Sequence, residues 1–138
     1  MIGFRFTLPR NTKNKAANLV INQNDRFHFH AQAKMVTKLR DLAEFRGLKL
    51  KQDFSDWEPF SKDKPCRVLI SIARPTRRRL DPPNLYPTVK ALIDGLTDAG
   101  IWTDDNDEVI QSMTFESSGL SGIKGRYIIT IKIKEKIK

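Results

Sequence analysis

Two groups of oxygen donors flank one short predicted helix in the second half of the chain. Asp81 follows three consecutive arginines and precedes Pro82 and Pro83, and a dense acidic run follows at residues 104–108. Carboxylates on a stiff turn suit a divalent cation, because Mg²⁺ tolerates little slack in its ligand geometry. The chain carries a net charge of +9 at pH 7. Acids gathered beside cations in such a chain indicate a metal-assisted reaction on a phosphate backbone.

Each of these acids also has a plainer interpretation. Asp81 and Asn84 belong to residue types that are common in turns and at helix caps, and the run at residues 104–108 could be a solvated loop. The spacing of an EF-hand is absent, since the central Gly and the terminal Glu of that loop are missing. The functional interpretation therefore requires the acids at the two ends of the helix to converge through the sheet.

Lys90 and four arginines supply positive charge beside these acids. Lys90 precedes Asp94 by four residues on the predicted helix, which is the spacing of a surface ion pair. The functional alternative is that its ammonium group stabilises charge that develops on a phosphate near a metal. The arginines are predicted to bind backbone phosphates, which would make affinity salt-dependent; they are Arg74, Arg77, Arg78 and Arg79.

Two histidines alternate with phenylalanines at residues 27–30. On an extended segment, His28 and His30 could both reach a metal ion, but no third ligand stands near them in the sequence. A position on the surface or facing nucleic acid is therefore the preferred interpretation.

Composition restricts the class of protein. A length of 138 residues with 39% hydrophobic content fits one domain with a modest core, and a pI near 9.9 favours a polyanionic partner. The single cysteine, Cys66, cannot form an internal disulfide, which fits a reducing cytoplasm. The N-terminus lacks an apolar segment of the length found in signal peptides, and no run reaches the roughly 20 apolar residues that a membrane span needs. No membrane partner is therefore predicted.

Hydrophobic periodicity predicts the elements of the first half. Alternating apolar residues predict a strand at residues 2–8, followed by a mobile, Asn- and Lys-rich loop at residues 10–24. Helical spacing predicts an amphipathic helix that begins at Ala31 and stops at Gly47. Residues 49–65 are predicted to form an irregular connector with packed aromatic side chains.

The second half is predicted to contain one helix and three strands: strand 68–72, helix 88–98, strand 109–115 and strand 127–133. The first of these strands is predicted to be central in the sheet and buried on both faces. A Gly/Ser turn is predicted at residues 117–125, and Gly100 marks the end of the helix. This order predicts a single α+β domain, residues 1–138, with a mixed β-sheet and two main helices packed on one face.

In this order the motifs resemble the RusA-type Holliday junction resolvases, a family of small, basic, dimeric, Mg²⁺-dependent endonucleases of bacterial and prophage genomes. The chain shows Asp81 and Asn84, then KALIDGL at residues 90–96, then WTDD at residues 102–105. The upstream segment NDRFHFHAQAKMVTKLR, residues 24–40, also resembles phage-associated relatives.

The resemblance implies an activity and a set of site residues. The implied activity is phosphodiester hydrolysis of branched DNA, such as a four-way junction, by a cytoplasmic homodimer that uses Mg²⁺ or, alternatively, Mn²⁺. Asp81 and Asp105 become metal ligands, with Asp104 adjacent to them. Asn84 becomes a further oxygen donor, and Lys90 becomes the charge stabiliser.

Two departures from the family pattern leave the activity open. Pro83 stands where the family has a second aspartate, and extra residues separate Asn84 from Lys90. A DNA-binding protein that retains the fold without catalysis is therefore the main alternative. An RNA-associated structural protein is a third interpretation, based on net charge and on the lysine-rich residues 132–138.

Overall fold

A computed structural model of the protein describes residues 1–136, which form four strands and two long helices. In chain order the elements are β1 (Ile2–Pro9), α1 (Phe29–Gln52), β2 (Cys66–Arg74), α2 (Tyr86–Asp98), β3 (Ile110–Leu120) and β4 (Arg126–Glu135). Two short 3₁₀ turns cover Lys15–Ala17 and Pro82–Leu85. No helix within this part of the chain is long and apolar enough to cross a membrane.

The strands form one mixed sheet in the order β1–β4–β2–β3. Strand β4 is antiparallel to both of its neighbours, whereas β2 and β3 are parallel and are connected through α2. The strand register places Phe4, Ile131 and Ile70 side by side, and all three are buried in the core beneath the helices. The predicted α+β class, with a mixed sheet and two helices packed against it, is confirmed.

The opposite face of the sheet, called the outer face below, carries no helix from residues 1–136. Side chains alternate between the two faces of a strand, so the register identifies which residues lie here. Most of them are exposed, and they are Gly3, Arg5 and Thr7 of β1, Arg67, Leu69, Ser71 and Ala73 of β2, Ser112, Thr114 and Glu116 of β3, and Arg126, Ile128, Thr130, Lys132 and Lys134 of β4.

The predicted end of the first helix at Gly47 is wrong, because α1 continues to Gln52. Gly47 is buried, and a Cβ atom added there would lie 2.6 Å from the Cβ of Ala99. Gly95 of α2 makes a similar approach, since its Cβ would overlap the carbonyl oxygen of Arg40. The two glycines thus allow α1 and α2 to pack closely, and the first four residues of the predicted connector are helical.

The segment predicted as a mobile loop is irregular but is fixed to the domain. Arg10 forms a bidentate ion pair with Asp25, with N–O distances of 2.7 and 2.9 Å. The hydroxyl of Thr88 in α2 accepts a hydrogen bond from the backbone N–H of Ile21 at 2.7 Å and donates one to its carbonyl at 2.8 Å. These contacts hold the segment against the start of α2.

Several bounds in the second half differ from the prediction. Strand β3 extends to Leu120, so the turn before β4 is shorter than the Gly/Ser pattern indicated. The end of α2 is predicted correctly, because the helix stops at Asp98 and Gly100 has a φ of 80°. The structure describes the lysine-rich segment, residues 132–138, as far as Lys136. Residues 137 and 138 lie outside the described residues.

Candidate functional site

The predicted site residues lie in two places around α2. One is a cleft at the carboxyl end of β2, called the arginine cleft below and lined in part by Arg78, Arg79, Asp81 and Asn84. The other is a set of hydrogen-bonded charges, called the lysine cluster, made of Lys90, Asp94 and Asp105.

The arginine cleft has a volume of about 450 Å³ and opens where the chain leaves the sheet. The loop after β2 and the following 3₁₀ turn supply the four residues named above. Three distant segments complete it, through Arg10, Asn22 and Tyr127. Sequence reasoning did not single out these three, because no local motif joins them.

Asp81 occupies the N-cap position of the 3₁₀ turn, as the plainer interpretation proposed, but its side chain makes no capping hydrogen bond. Its backbone carbonyl instead accepts a hydrogen bond from the Asn84 N–H at 2.9 Å. The carboxylate is 60% exposed, and its ion-pair contact is with the Arg79 Nε at 3.9 Å. At that distance the pair is loose, so the carboxylate can accept a ligand.

Asn84 is held in place by the segment that precedes α1. Its side-chain oxygen accepts a hydrogen bond from the Gln23 Nε2 at 2.6 Å, and its carbonyl accepts one from the Gln23 N–H at 2.8 Å. The amide oxygen therefore already has one donor, which a metal ion would have to replace or share.

Lys90 connects α2 to the acidic run. Its Nζ donates hydrogen bonds to Asp105 at 2.6 Å and to Asp94 at 2.8 Å, so the predicted pair with Asp94 is confirmed. The hydrogen bond from Lys90 lowers the pKa of Asp105, and the hydrogen bonds to Asp105 and Asp94 raise the pKa of Lys90. Lys90 and Asp105 are therefore both charged near neutral pH, and Lys90 offsets the repulsion within the acidic run.

Asp104 is bonded within its own loop. One of its carboxylate oxygens accepts a hydrogen bond from the Asp105 N–H at 2.7 Å, and the other accepts one from the Asn106 side-chain amide at 3.3 Å. Asp104 therefore orders the turn that carries Asp105, and its carboxylate is exposed beside it.

The arginines differ in position. Arg78 and Arg79 line the cleft, and Arg77 is exposed on the same loop. Arg74 lies half-buried at the end of β2, where one guanidinium nitrogen donates a hydrogen bond to the Ser117 hydroxyl at 3.1 Å. Its Nε is buried and has no hydrogen-bond partner within residues 1–136.

The predicted extended conformation of the histidine segment is wrong. His28 is the N-cap of α1, and its Nδ1 accepts a hydrogen bond from the His30 N–H at 3.3 Å. His30 lies in the first turn of the helix. Both side chains are exposed, in agreement with the preferred surface position.

In the part of the chain that the structure describes, no group of three or more His, Cys, Asp or Glu side chains lies close enough to hold a metal ion. The chemistry of the available donors nevertheless fits Mg²⁺. Asp81 and Asn84 offer hard oxygen atoms in the arginine cleft, whereas Asp105 lies in the lysine cluster and does not line the cleft. Mg²⁺ commonly takes only one or two protein carboxylates while keeping several waters and binding substrate phosphates.

Comparison with models of protein families and with curated protein sequences gives no match to this chain.

Proposed function

We propose that the protein is a Mg²⁺-dependent endonuclease that hydrolyses phosphodiester bonds in four-way junctions or other branched DNA. The arginine cleft is the observation that carries the proposal. Arg78 has no acidic partner within 4 Å among residues 1–136, and Arg79 has only its loose contact with Asp81. Cationic walls around one exposed carboxylate favour an anionic ligand that is bound together with a cation.

The choice of branched DNA rests on the order of the motifs rather than on the cleft. A homodimer is part of the proposal, because two sites related by a two-fold axis suit the symmetry of a four-way junction. A cytoplasmic location in a bacterium, with a gene of bacterial or prophage origin, follows from the same resemblance.

The proposal assigns the metal to Asp81 and Asp105, with Asn84 and Asp104 as further oxygen donors. It requires the loop after α2 to bring Asp105 towards the arginine cleft, because Asp105 does not line that cleft. When bound there, Mg²⁺ would supply Lewis-acid polarisation of the phosphate and a bound water of lowered pKa. Arg78 and Arg79 would fix the phosphate backbone in the cleft, because guanidinium groups pair well with phosphate oxygens.

Lys90 would act as a fixed positive charge. Its raised pKa keeps its proton on, so it does not serve as a base near neutral pH. Its ammonium group carries three donors, of which two are taken by Asp105 and Asp94. The third donor can stabilise charge on a phosphate oxygen without breaking the lysine cluster.

Asp81→Asn tests the proposal, with Asp107→Asn as the matched control. Asp107 is exposed and belongs to the acidic run, but it has no assigned role. We expect Asp81→Asn to lose more than about 100-fold in cleavage of a synthetic four-way junction, because removing even an outer partner of a metal site costs about 10- to 100-fold. Binding should change little. Equal cleavage by the two variants and the wild type would remove Asp81 from the site.

A junction-binding protein without catalysis is the second candidate. The observation that favours it is the lysine cluster, in which Lys90 already occupies one oxygen of Asp105. Tight binding of the junction by the wild type, without cleavage at any concentration of Mg²⁺ or Mn²⁺, would establish this candidate in place of the first.

A further inference from the structure

The outer face of the sheet carries a group of cations at the end away from the arginine cleft. Arg67 of β2 lies directly opposite Lys134 of β4, and Lys132 is the next outer-face residue along β4. Like charges directly opposite each other in adjacent strands destabilise the pairing. The fold therefore maintains an unfavourable arrangement here, which a polyanionic ligand would relieve.

No acid within residues 1–136 neutralises these three cations at ion-pair distance. Among the outer-face strand residues the acidic side chain is Glu116, and it accepts a hydrogen bond from the Ser71 hydroxyl at 2.5 Å. Glu135 shares a recess of about 160 Å³ with Arg67, Lys134 and Lys136, yet lies more than 4 Å from each of their charged nitrogens.

A second recess, of about 280 Å³, lies on the outer face among the same cations. Its polar lining consists of Arg67, Lys132 and Lys134 with the hydroxyl-bearing Ser112 and Thr114. Arginine, lysine, serine and threonine side chains are the groups that contact phosphate oxygens in protein–DNA complexes. The surface therefore combines charge with hydrogen-bond donors suited to a phosphate backbone.

We propose that Arg67, Lys132 and Lys134, called the sheet patch below, bind the sugar–phosphate backbone of double-stranded DNA. The arginine cleft opens beyond Arg74, at the end of β2. Arg67 lies seven positions before Arg74 on this strand, and an extended strand of that length spans about 23 Å. The two surfaces thus contact different stretches of backbone. The sheet patch takes part in binding whether or not the cleft cleaves DNA.

The test measures binding of an intact, unbranched DNA duplex by fluorescence anisotropy at several salt concentrations, with EDTA present so that no cleavage occurs. The test variant is Arg67→Ala with Lys132→Ala and Lys134→Ala. The matched control removes three exposed lysines of α1, on the other side of the sheet, through Lys34→Ala, Lys38→Ala and Lys49→Ala.

The plot of log affinity against log salt concentration should become shallower, by about 0.9 in slope for each phosphate that the sheet-patch variant no longer neutralises. In the control the slope should stay near the wild-type value. Thr114→Glu is a second test that keeps every cation, and it should also weaken binding, because its carboxylate would repel phosphates at the same place. Thermal unfolding checks that each variant folds. Removing the repulsion between Arg67 and Lys134 should leave the unfolding temperature unchanged or higher.

Three results would overturn the proposal. One is a wild-type slope in the sheet-patch variant, and another is an equal loss in the α1 control, which would mean that only net charge matters. The third is a change in oligomeric state with unchanged DNA binding, which would make the outer face an interface between copies of the chain. Because the duplex is neither branched nor cleaved, failure of the nuclease proposal leaves these results unaffected.

Discussion

The lysine cluster and the arginine cleft hold their charges in opposite ways. In the lysine cluster, Lys90 has two carboxylate partners at 2.6 and 2.8 Å. In the arginine cleft, Asp81 is 60% exposed and its nearest cation is 3.9 Å away. The first arrangement already pairs its charges and fixes the acidic run to α2, whereas the second has loosely paired charges that are more open to a ligand. Substitutions in the two places should therefore have different consequences.

Asp105→Asn should give the largest effect, because Asp105 belongs to the lysine cluster and is also a proposed metal ligand. We expect junction cleavage to fall by more than about 100-fold, as for Asp81→Asn. Unlike Asp81→Asn, it should also lower the free energy of unfolding, by up to about 1 kcal/mol, since it removes a partly exposed ion pair. Cleavage assays and urea titrations of both variants measure the contrast. Equal stability of the two variants would contradict the proposed difference between the two places.

Gly95→Ala should disturb both places at once, because α2 carries Lys90 and follows the turn that carries Asn84. The added methyl group would overlap the carbonyl oxygen of Arg40 in α1, and such overpacking costs about 1–3 kcal/mol. Thermal unfolding should show this loss. Gly3→Ala is the matched control, since a Cβ there meets no atom within 4 Å. An equally stable Gly95→Ala variant would mean that α1 and α2 can separate without harm.

Replacing Arg77, Arg78 and Arg79 together by Ala should weaken DNA binding while leaving the lysine cluster and the stability intact. Each phosphate that is no longer neutralised should reduce the log–log salt slope by about 0.9. Fluorescence anisotropy with a four-way junction measures this slope, and the triple lysine variant of α1 serves as the control. An unchanged slope would show that this loop does not face DNA, and the sheet patch would then be the main cationic surface.

Pro83→Asp should give the smallest effect. Pro83 lies in the 3₁₀ turn, but it is not among the residues that line the arginine cleft, so we expect a carboxylate there to lie outside the cleft. We expect the Mg²⁺ concentration needed for half-maximal cleavage to change by less than about twofold, because another oxygen ligand strengthens a cation site only where it reaches the ion. A several-fold shift to lower Mg²⁺ would mean that the position still serves the metal.

Local patterns predicted the parts of the molecule that depend on neighbouring residues. Helix α2 and its pair between Lys90 and Asp94 follow from spacing along one helix, and Ile129 and Ile131 of β4 alternate as expected. The stop at Gly47 was wrong, because that glycine serves packing against Ala99, which is distant in sequence. A local rule for helix ends contains no information about such a contact.

The candidate site was predicted in its residue types more than in its arrangement. The bond between Lys90 and Asp105 spans fifteen residues, and it depends on how the loop after α2 folds back along that helix. Arg10 reaches the arginine cleft from the end of β1, and it is positioned by its ion pair with Asp25. These groups meet through tertiary packing, which periodicity does not encode.

The strand order also has a consequence for synthesis on the ribosome. Strand β4 is made after the other three strands, yet it lies between β1 and β2, and in residues 1–136 it is the sheet partner of β1. Strand β1, whose apolar side chains include Phe4 and Phe6, therefore lacks its sheet partner while residues 10–125 emerge. Pairings between distant segments form slowly, and unpaired apolar strands aggregate. A nascent chain of this protein is thus most exposed to misfolding and to chaperones until β4 leaves the exit tunnel.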